Sequence, residues 1–250
     1  MAGPLAGDKP NVLFLMADDL RPELGCYGAG HVISPNIDRL AKRGRMFEHA
    51  YCQQALCNPS RASMLTGLRP DSLGIWNLPT HLRQRRPGIV TLPQHFRNNG
   101  YFTECVGKIF HNWRQDIHGD PQSWSVPQFM HYARHDDDQP KIDGKPPGNE
   151  IKLPRSTIRD VPDEAYFDGR IATRAIESLQ RLKKNRKPFF LAVGFWKPHL
   201  PFNAPKRYWN LYDPAKAGLP ESLTKPANGP DIALHDSREL LRAFGGRKPS

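Results

Sequence analysis

Short apolar runs recur along this chain, and each is followed by polar residues. Three of them have the length and composition of strands buried in a parallel sheet. They are residues 11–16, 101–106 and 188–195. Three other segments repeat apolar residues at helical spacing. They are residues 34–41, 91–99 and 163–182. This alternation predicts an α/β fold, with a mostly parallel sheet and helices on both of its faces.

Local patterns refine two of these elements. Ser34 followed by Pro35 fits the start of a helix, and Ile37 and Leu40 fall on one face of it, which predicts a packed helix. The run NVLFLM at residues 11–16 has no polar alternation. We therefore expect that strand to be buried on both faces.

Polar side chains follow every predicted strand. The six residues are Asp18, Asp19, Lys108, His111, Lys197 and His199. In open α/β sheets the carboxyl ends of the strands share the edge at which ligands bind, so these residues are predicted to lie together. Adjacent carboxylates suit a hard cation such as Ca²⁺ or Mg²⁺. Taken singly, each residue also has a structural interpretation, such as a turn cap, a surface lysine or a core histidine.

A thiol stands in front of a further predicted helix. Pro59 and Ser60 favour a helix start and Gly67 favours its end, which predicts a helix over residues 60–66. Cys57 then faces the positive dipole end of that helix, a place that suits an anion. For Cys57 alone, a buried structural cysteine is the alternative interpretation.

Amino-acid composition excludes some classes of protein but does not select one function. The chain has 250 residues, of which 38% are hydrophobic and 24% charged, and this fits one sizeable soluble domain. Its net charge of +11 favours acidic partners, whether sulfated glycan, nucleic acid or anionic membrane. Four cysteines without a C-x-x-C pair argue against a disulfide scaffold and a thiolate zinc site.

The residues around Cys57 complete a known signature. They are Cys57, Pro59, Ser60, Arg61, Leu65, Thr66 and Gly67. In the order C-x-P-S-R-x-x-x-L-T-G they resemble the type I sulfatase family. Further blocks match in sequence order: DDLRPELGCYG, SPNIDRLA, QQALCNPSR, VGKIFH and FFLAVGFWKPHLPF. The resemblance implies a sulfatase, or alkaline-phosphatase-like, fold and a sulfuric ester hydrolase that acts on a sulfated sugar or glycosaminoglycan.

The resemblance also implies a modified nucleophile and a metal. In this family a formylglycine-generating enzyme oxidises the signature cysteine, so Cys57 is expected to become formylglycine, whose hydrate attacks sulfur. Asp18, Asp19 and residue 57 match ligands of a Ca²⁺ ion, with Mg²⁺ as the other possibility. The expected catalytic centre therefore combines a hydrated aldehyde with a hard cation.

The remaining site residues take their expected roles from the same resemblance. Arg61 matches the residue that holds the hydrate, and Lys108 matches the lysine on the sulfate. His199 matches the histidine that protonates the leaving alcohol. His111 and Lys197 match positions that vary among sulfatases, and His111 is expected to hydrogen-bond the nucleophile or a carboxylate.

The family pattern continues further than this sequence does. A full-length sulfatase goes on to a D-H-G or D-N-G block with further calcium ligands, and no such block follows Arg61 here. We therefore expect a tail at 1–10 and, over 11–250, the N-terminal part of a sulfatase catalytic domain, truncated at the C-terminus. Residues 112–162, rich in Pro, Gly, Asp and His, predict a long surface loop.

The compartment and three other functions stay open from the sequence. Residues 1–10 read as neither a secretion signal nor a membrane span, so we expect a cytoplasmic location for the sequence as encoded, or a periplasmic, secreted or lysosomal one if a signal was lost. A phosphonate or phosphate ester hydrolase of the same superfamily would use a similar metal edge. A catalytically incomplete fragment would still bind sulfated polyanions. Nucleic-acid binding lacks a recognisable motif, and neither nucleic acid nor a membrane is expected as a partner.

Overall fold

The computed structural model alternates strands and helices along the chain. It describes residues 9–112, 114–131, 156–185, 187–218 and 224–230. The strands are β1 (Val12–Asp18), β2 (Phe102–Gly107), β3 (Ser156–Arg159), β4 (Phe189–Pro198) and β5 (Phe202–Pro205). The helices are α1 (Pro35–Arg43), α2 (Cys57–Thr66), α3 (Pro70–Leu73), α4 (Leu82–Arg85), α5 (Leu92–Asn98), α6 (Phe167–Lys184) and α7 (Lys206–Trp209). The expected α/β class is confirmed.

The main sheet is parallel, as the apolar runs predict. β1 and β2 both pair with β4, which gives the order β1-β4-β2. A second, two-stranded sheet joins β3 to β5, also in parallel. Because all three strands of the main sheet run in one direction, the residues that follow them meet at one edge.

Apolar side chains pack against both faces of β4 and β2. On one face lie Cys105, Phe190 and Ala192 together with side chains from α2, α3 and α5. On the other face lie Val106, Leu191 and Val193 together with the buried side of α6. Helices therefore cover both faces of this part of the sheet, in agreement with the predicted layering.

The helix after the thiol begins earlier than predicted. α2 starts at Cys57 itself, with Leu56 as its N-cap, and ends at Gly67, whose φ of 72° is left-handed. Pro59 is thus the third helical residue. The first turn tolerates proline because the amides there have no intrahelical partner to lose.

The apolar surface of β1 and α1 is more open than predicted. Leu13 and Leu15 are 45% and 52% exposed, so the expectation that β1 is buried on both faces is wrong. α1 has no buried residue, and its Leu40 is 63% exposed, so the predicted packed helix is not seen either. An apolar run predicts where a strand or helix forms but does not specify a neighbour that covers each of its faces.

Part of the predicted surface loop is packed into the fold. Asp120, Ser123 and Trp124 are each at most 3% exposed. Residues 132–155 lie outside the described part of the chain, and with them the acidic run at 136–138. Among the helices that are described, none combines the length and apolar character needed to cross a membrane.

Gly194 lies where β4 passes the end of β2. A Cβ added there would lie 1.8 Å from the Lys108 carbonyl oxygen, while the Gly194 carbonyl accepts from the Lys108 N–H at 2.8 Å. We expect Gly194→Ala to lower the free energy of unfolding by about 3 kcal/mol, because the backbone has to move, and urea denaturation measures this. Gly88→Ala is the control, since its Cβ would meet open space. Equal stability of the two variants would contradict the close approach of β4 and β2.

Candidate active site

Asp18 lies at the centre of a buried ion cluster at the carboxyl edge of the sheet. Arg61 Nη2 donates to its Oδ1 at 2.8 Å, and Lys108 Nζ forms an ion pair with Oδ2. Arg61 Nη1 also donates to the carbonyl oxygens of Lys108 at 2.9 Å and Ile109 at 2.8 Å. One guanidinium on α2 therefore ties together the ends of β1 and β2.

The charges of this cluster do not cancel. Burial raises the pKa of Asp18, but the nearby Arg61 and Lys108 outweigh it and hold that pKa well below its ordinary value. The ionised carboxylate thus contributes stability above the ordinary pKa of an aspartate, about 4, and loses it as pH falls below that. Two cations face one carboxylate in a buried place, so the surplus is positive and suits an anion.

Cys57 adjoins this cluster from the first turn of α2. Its Sγ lies 3.9 Å from Asp18 Oδ1. Burial raises the pKa of the Cys57 thiol, Lys108 lowers it, and the Asp18 carboxylate raises it further. Because only the thiolate is a strong nucleophile, the unmodified Cys57 is poorly activated at neutral pH.

His199 closes the cluster from the end of β4. Its backbone N–H donates to the carbonyl oxygens of Asp18 and Trp196, both at 3.1 Å. Its Nδ1 lies 2.7 Å from the Leu200 carbonyl oxygen, which can only accept, so Nδ1 carries the proton and Nε2 is the basic nitrogen. Ligand atoms of Asp18, Cys57 and His199 all lie within 4.8 Å of one another.

His111 is buried next to these residues but does not make the bond expected of it. Burial lowers its pKa to about 3, helped by the charges of Lys108 and Arg61. Within the described part of the chain, neither ring nitrogen has a hydrogen-bond partner. The expected bond to the nucleophile or a carboxylate is therefore not formed, and its catalytic role stays a prediction.

Lys197 and Asp19 are less central than the sequence suggests. Lys197 Nζ donates to the carbonyl oxygens of His199 at 3.2 Å and Pro201 at 2.7 Å, so it supports its own turn. Asp19 is exposed, with a φ of 62°, and its charge still raises the pKa of Cys57. Asp19 is next to the cluster of Asp18, Cys57 and His199 but is not one of its ligands. The catalytic role of Lys197 stays a prediction.

The donor set fits one side of a calcium site. Ca²⁺ takes six to eight oxygen ligands, whereas the gathered atoms are a carboxylate oxygen, a sulfur and an imidazole nitrogen. Oxygen in place of sulfur at residue 57, with Asp18 and the adjacent Asp19, would give the hard ligands that Ca²⁺ prefers. The described residues therefore fit a hard cation in part, and only with residue 57 oxidised.

Two supporting contacts had no recognisable pattern in the sequence. The carboxylate of Asp168 accepts the backbone N–H groups of Trp196 at 2.8 Å and Lys197 at 3.0 Å, which fixes the end of β4. Asn58 Nδ2 donates to the carbonyl oxygens of Asn77 and Thr80 at 2.8 and 2.7 Å. In the sequence, Asp168 reads only as an acidic residue of the helix predicted over residues 163–182.

A buried ion pair holds the loop that follows His111. Arg83 donates through Nε and Nη2 to the two carboxylate oxygens of Asp120, at 3.0 and 2.8 Å. His81 Nε2 adds a hydrogen bond of 2.7 Å with the Gly119 carbonyl oxygen. Arg83 is therefore a structural residue and no part of a basic surface.

These contacts define an α/β protein with a buried, positively charged side-chain cluster at the carboxyl edge of its parallel sheet. The family model described as Sulfatase matches residues 10–225. This chain belongs to the sulfatase family.

The chain is also similar to individual sulfatases. It is 40% identical over 250 residues to iduronate 2-sulfatase of Mus musculus, covering 95% of this chain and 45% of that protein. It is 40% identical over 233 residues to the Homo sapiens iduronate 2-sulfatase, covering 91% of this chain and 42% of that protein. The chain therefore spans less than half the length of these relatives.

Solved structures with the same fold include sugar complexes. One in complex with D-glucosamine-2-N,6-O-disulfate has a TM-score of 0.55 and 27% identity, covering 77% of this chain and 35% of that one. Ps i-CgsB in complex with k-i-k-neocarrahexaose has a TM-score of 0.63 and 26% identity, covering 84% of this chain and 50% of that one. The phosphonate monoester hydrolase of Agrobacterium radiobacter shares the fold. Its TM-score is 0.61 and its identity 24%, and the match covers 84% of this chain and 45% of that one.

The lowered pKa of His111 predicts an acid-sensitive fold. Between the ordinary histidine pKa of about 6.5 and the folded value, the unfolded chain binds a proton that the folded chain does not, so stability falls as pH falls. We expect His111→Gln to reduce the loss of unfolding free energy between pH 6.5 and 5 by about 1 kcal/mol per pH unit, measured by urea denaturation.

His49→Gln is the matched control for this prediction, because His49 is exposed. It should retain the pH dependence of the wild type. A wild-type profile that is flat between pH 6.5 and 5, or one that His111→Gln leaves unchanged, would contradict the buried neutral state of His111.

Proposed function

We propose that this chain is the nucleophile-bearing part of a sulfuric ester hydrolase that removes sulfate from a sulfated sugar. The observation that carries the proposal is the buried cluster in which Cys57 Sγ lies 3.9 Å from Asp18, beside Arg61 and Lys108. A sulfate ester brings negative charge into such a place, and the charge on its oxygens rises as the ester bond breaks. Fixed cations in a dry site stabilise that charge strongly.

The names of the relatives support a sulfated carbohydrate as the substrate. Iduronate 2-sulfatases share 40% identity with nearly all of this chain. Structural neighbours bind a disulfated glucosamine and a neocarrahexaose. A 2-O-sulfated iduronate unit of a glycosaminoglycan is therefore the substrate we propose for the complete enzyme.

Each residue of the cluster has a distinct chemical task in this proposal. Lys108 binds a peripheral sulfate oxygen as a point charge, and Arg61 orients the nucleophile through its planar guanidinium. His199, with Nδ1 bound to the Leu200 carbonyl, exchanges a proton through Nε2 and delivers it to the leaving alcohol. Asp18 holds both cations in position.

Two additions to the polypeptide belong to the proposal. Residue 57 is oxidised to formylglycine by a formylglycine-generating enzyme or its equivalent, and the hydrated aldehyde supplies the nucleophilic oxygen. Asp18, Asp19 and residue 57 would hold Ca²⁺, which supplies positive charge that polarises a sulfate oxygen. The raised pKa of the Cys57 thiol supports the need for modification, because the thiol itself is a weak nucleophile at neutral pH.

A second candidate is a catalytically incomplete chain that only binds sulfated polyanions. It is favoured by the ligand cluster, which gathers three donor residues among those described where Ca²⁺ takes at least six ligand atoms. In this case the net charge of +11 would retain the glycan without cleavage.

Peptide mass spectrometry tests the proposed nucleophile. After coexpression with a formylglycine-generating enzyme, the peptide with residue 57 should carry an aldehyde in place of the CH₂SH group, while Cys52 stays a thiol. We expect Cys57→Ala to abolish sulfate release from a 2-O-sulfated disaccharide, and Cys52→Ala to leave it unchanged, because Cys52 is an exposed free cysteine outside the signature.

The outcomes of this experiment separate the candidates. An aldehyde together with sulfate release supports the hydrolase. An aldehyde together with release of phosphate or phosphonate, but not sulfate, would assign the chain to the related ester hydrolases. Binding of the glycan without release of sulfate, phosphate or phosphonate would support the catalytically incomplete chain. A thiol at residue 57 with full activity would contradict the proposed mechanism.

A further inference from the structure

Lys108 has an aromatic partner in addition to Asp18. Its Nζ lies 4.8 Å from the centroid of the Trp196 ring, over the ring face. Only 4% of Lys108 is exposed, so this contact is shielded from water. A cation over an indole face is attracted by the ring quadrupole, and the attraction is strongest where water is excluded. The ammonium is thus held between a carboxylate and an indole.

Trp196 is itself fixed from both sides. Asp168 accepts its backbone N–H at 2.8 Å and that of Lys197 at 3.0 Å, which anchors the end of β4 to the first turn of α6. Phe167 packs edge-on against the indole, with ring centroids 6.0 Å apart and an interplanar angle of 76°. The ring face is therefore presented to Lys108 by a rigid frame.

Packing alone does not explain an indole at this position. Among the described residues, the Trp196 Nε1–H is buried without a hydrogen-bond partner. A buried unpaired donor destabilises the folded state, and a phenylalanine or leucine would avoid that cost. The indole has the strongest attraction for a cation among the aromatic side chains, and Lys108 lies over its face.

We propose that Trp196 is a positioning residue for Lys108. Its indole face and Asp18 hold the ammonium between them, aimed at an incoming sulfate group, and Asp168 fixes the indole through the end of β4. The inference rests on the proposed function, in which Lys108 binds the sulfate. Trp196 itself touches neither the nucleophile nor the sulfate in this proposal.

NMR of the lysine side chains tests the inference without requiring turnover. The probe is inorganic sulfate, and the Lys108 resonance is assigned by its loss in Lys108→Arg. In the wild type, the ε-methylene protons of Lys108 should be shifted upfield by the indole ring and should respond to sulfate with saturation. Trp196→Leu should abolish the upfield shift and weaken sulfate binding about tenfold, whereas Trp196→Phe should weaken it about twofold.

Two further variants test whether a loss of sulfate binding reflects only a general loss of structure. Asp168→Asn should weaken sulfate binding in the same direction as Trp196→Leu but less, because the amide offers one acceptor oxygen where the carboxylate offers two, so only one of the two N–H groups keeps its partner. Trp209→Leu removes an indole whose N–H donates to the Ala204 carbonyl oxygen, and should leave sulfate binding unchanged. If Trp196→Leu does not fold, the Trp196→Phe and Asp168→Asn variants carry the test.

The outcomes distinguish this inference from the proposed function. If the wild-type Lys108 resonance does not respond to sulfate, the sulfate-binding role proposed for Lys108 is wrong, and the inference is wrong with it. If Lys108 responds in the wild type and equally in all Trp196 and Asp168 variants, only the inference is overturned. If Trp209→Leu weakens binding as much as Trp196→Leu, the effect is general and the inference is also overturned.

Discussion

The carboxylate of Asp18, buried between Arg61 and Lys108, is the interaction on which the rest of the site depends. It joins the ends of β1 and β2 to α2, so three separate parts of the sequence converge on one side chain. Loss of one partner of a buried ion pair costs about 3–5 kcal/mol, because the other charge is left uncompensated. The same pair of cations that stabilises the fold also gives the site its surplus positive charge. Stability and affinity for an anion therefore have a common origin.

Much of this arrangement could be predicted from the sequence because parallel strands share one edge. The apolar runs located β1, β2 and β4, and the residues that follow them gave Asp18, Lys108 and His199. The helix signature placed Cys57 near them. These predictions rest on local patterns, namely strand length, polar residues at strand ends and a glycine at a helix end. The structure brings Asp18, Lys108, His199 and Cys57 together, and the chemical roles of these residues remain proposals.

The features of the fold and the site that the sequence did not predict depend on contacts between distant segments, which a local pattern does not specify. In the sequence, Asp168 reads as an ordinary helix residue. Arg83 stands close to Arg85 and Arg86, and nothing in that pattern indicates that it is buried against Asp120. The apolar run of β1 predicted burial on both faces, yet Leu15 is half exposed. Burial depends on which neighbours pack on a strand, and residue type alone does not supply them.

Calorimetric titration with Ca²⁺ tests most directly whether Asp18 organises the site. We expect saturable Ca²⁺ binding by the wild-type chain with residue 57 oxidised, and binding at least about tenfold weaker in Asp18→Asn, because a charged oxygen ligand is lost. Asp160→Asn removes an exposed carboxylate and should bind as the wild type does. Equal Ca²⁺ affinity of Asp18→Asn and the wild type, or no binding by either, would contradict a cation site built on Asp18.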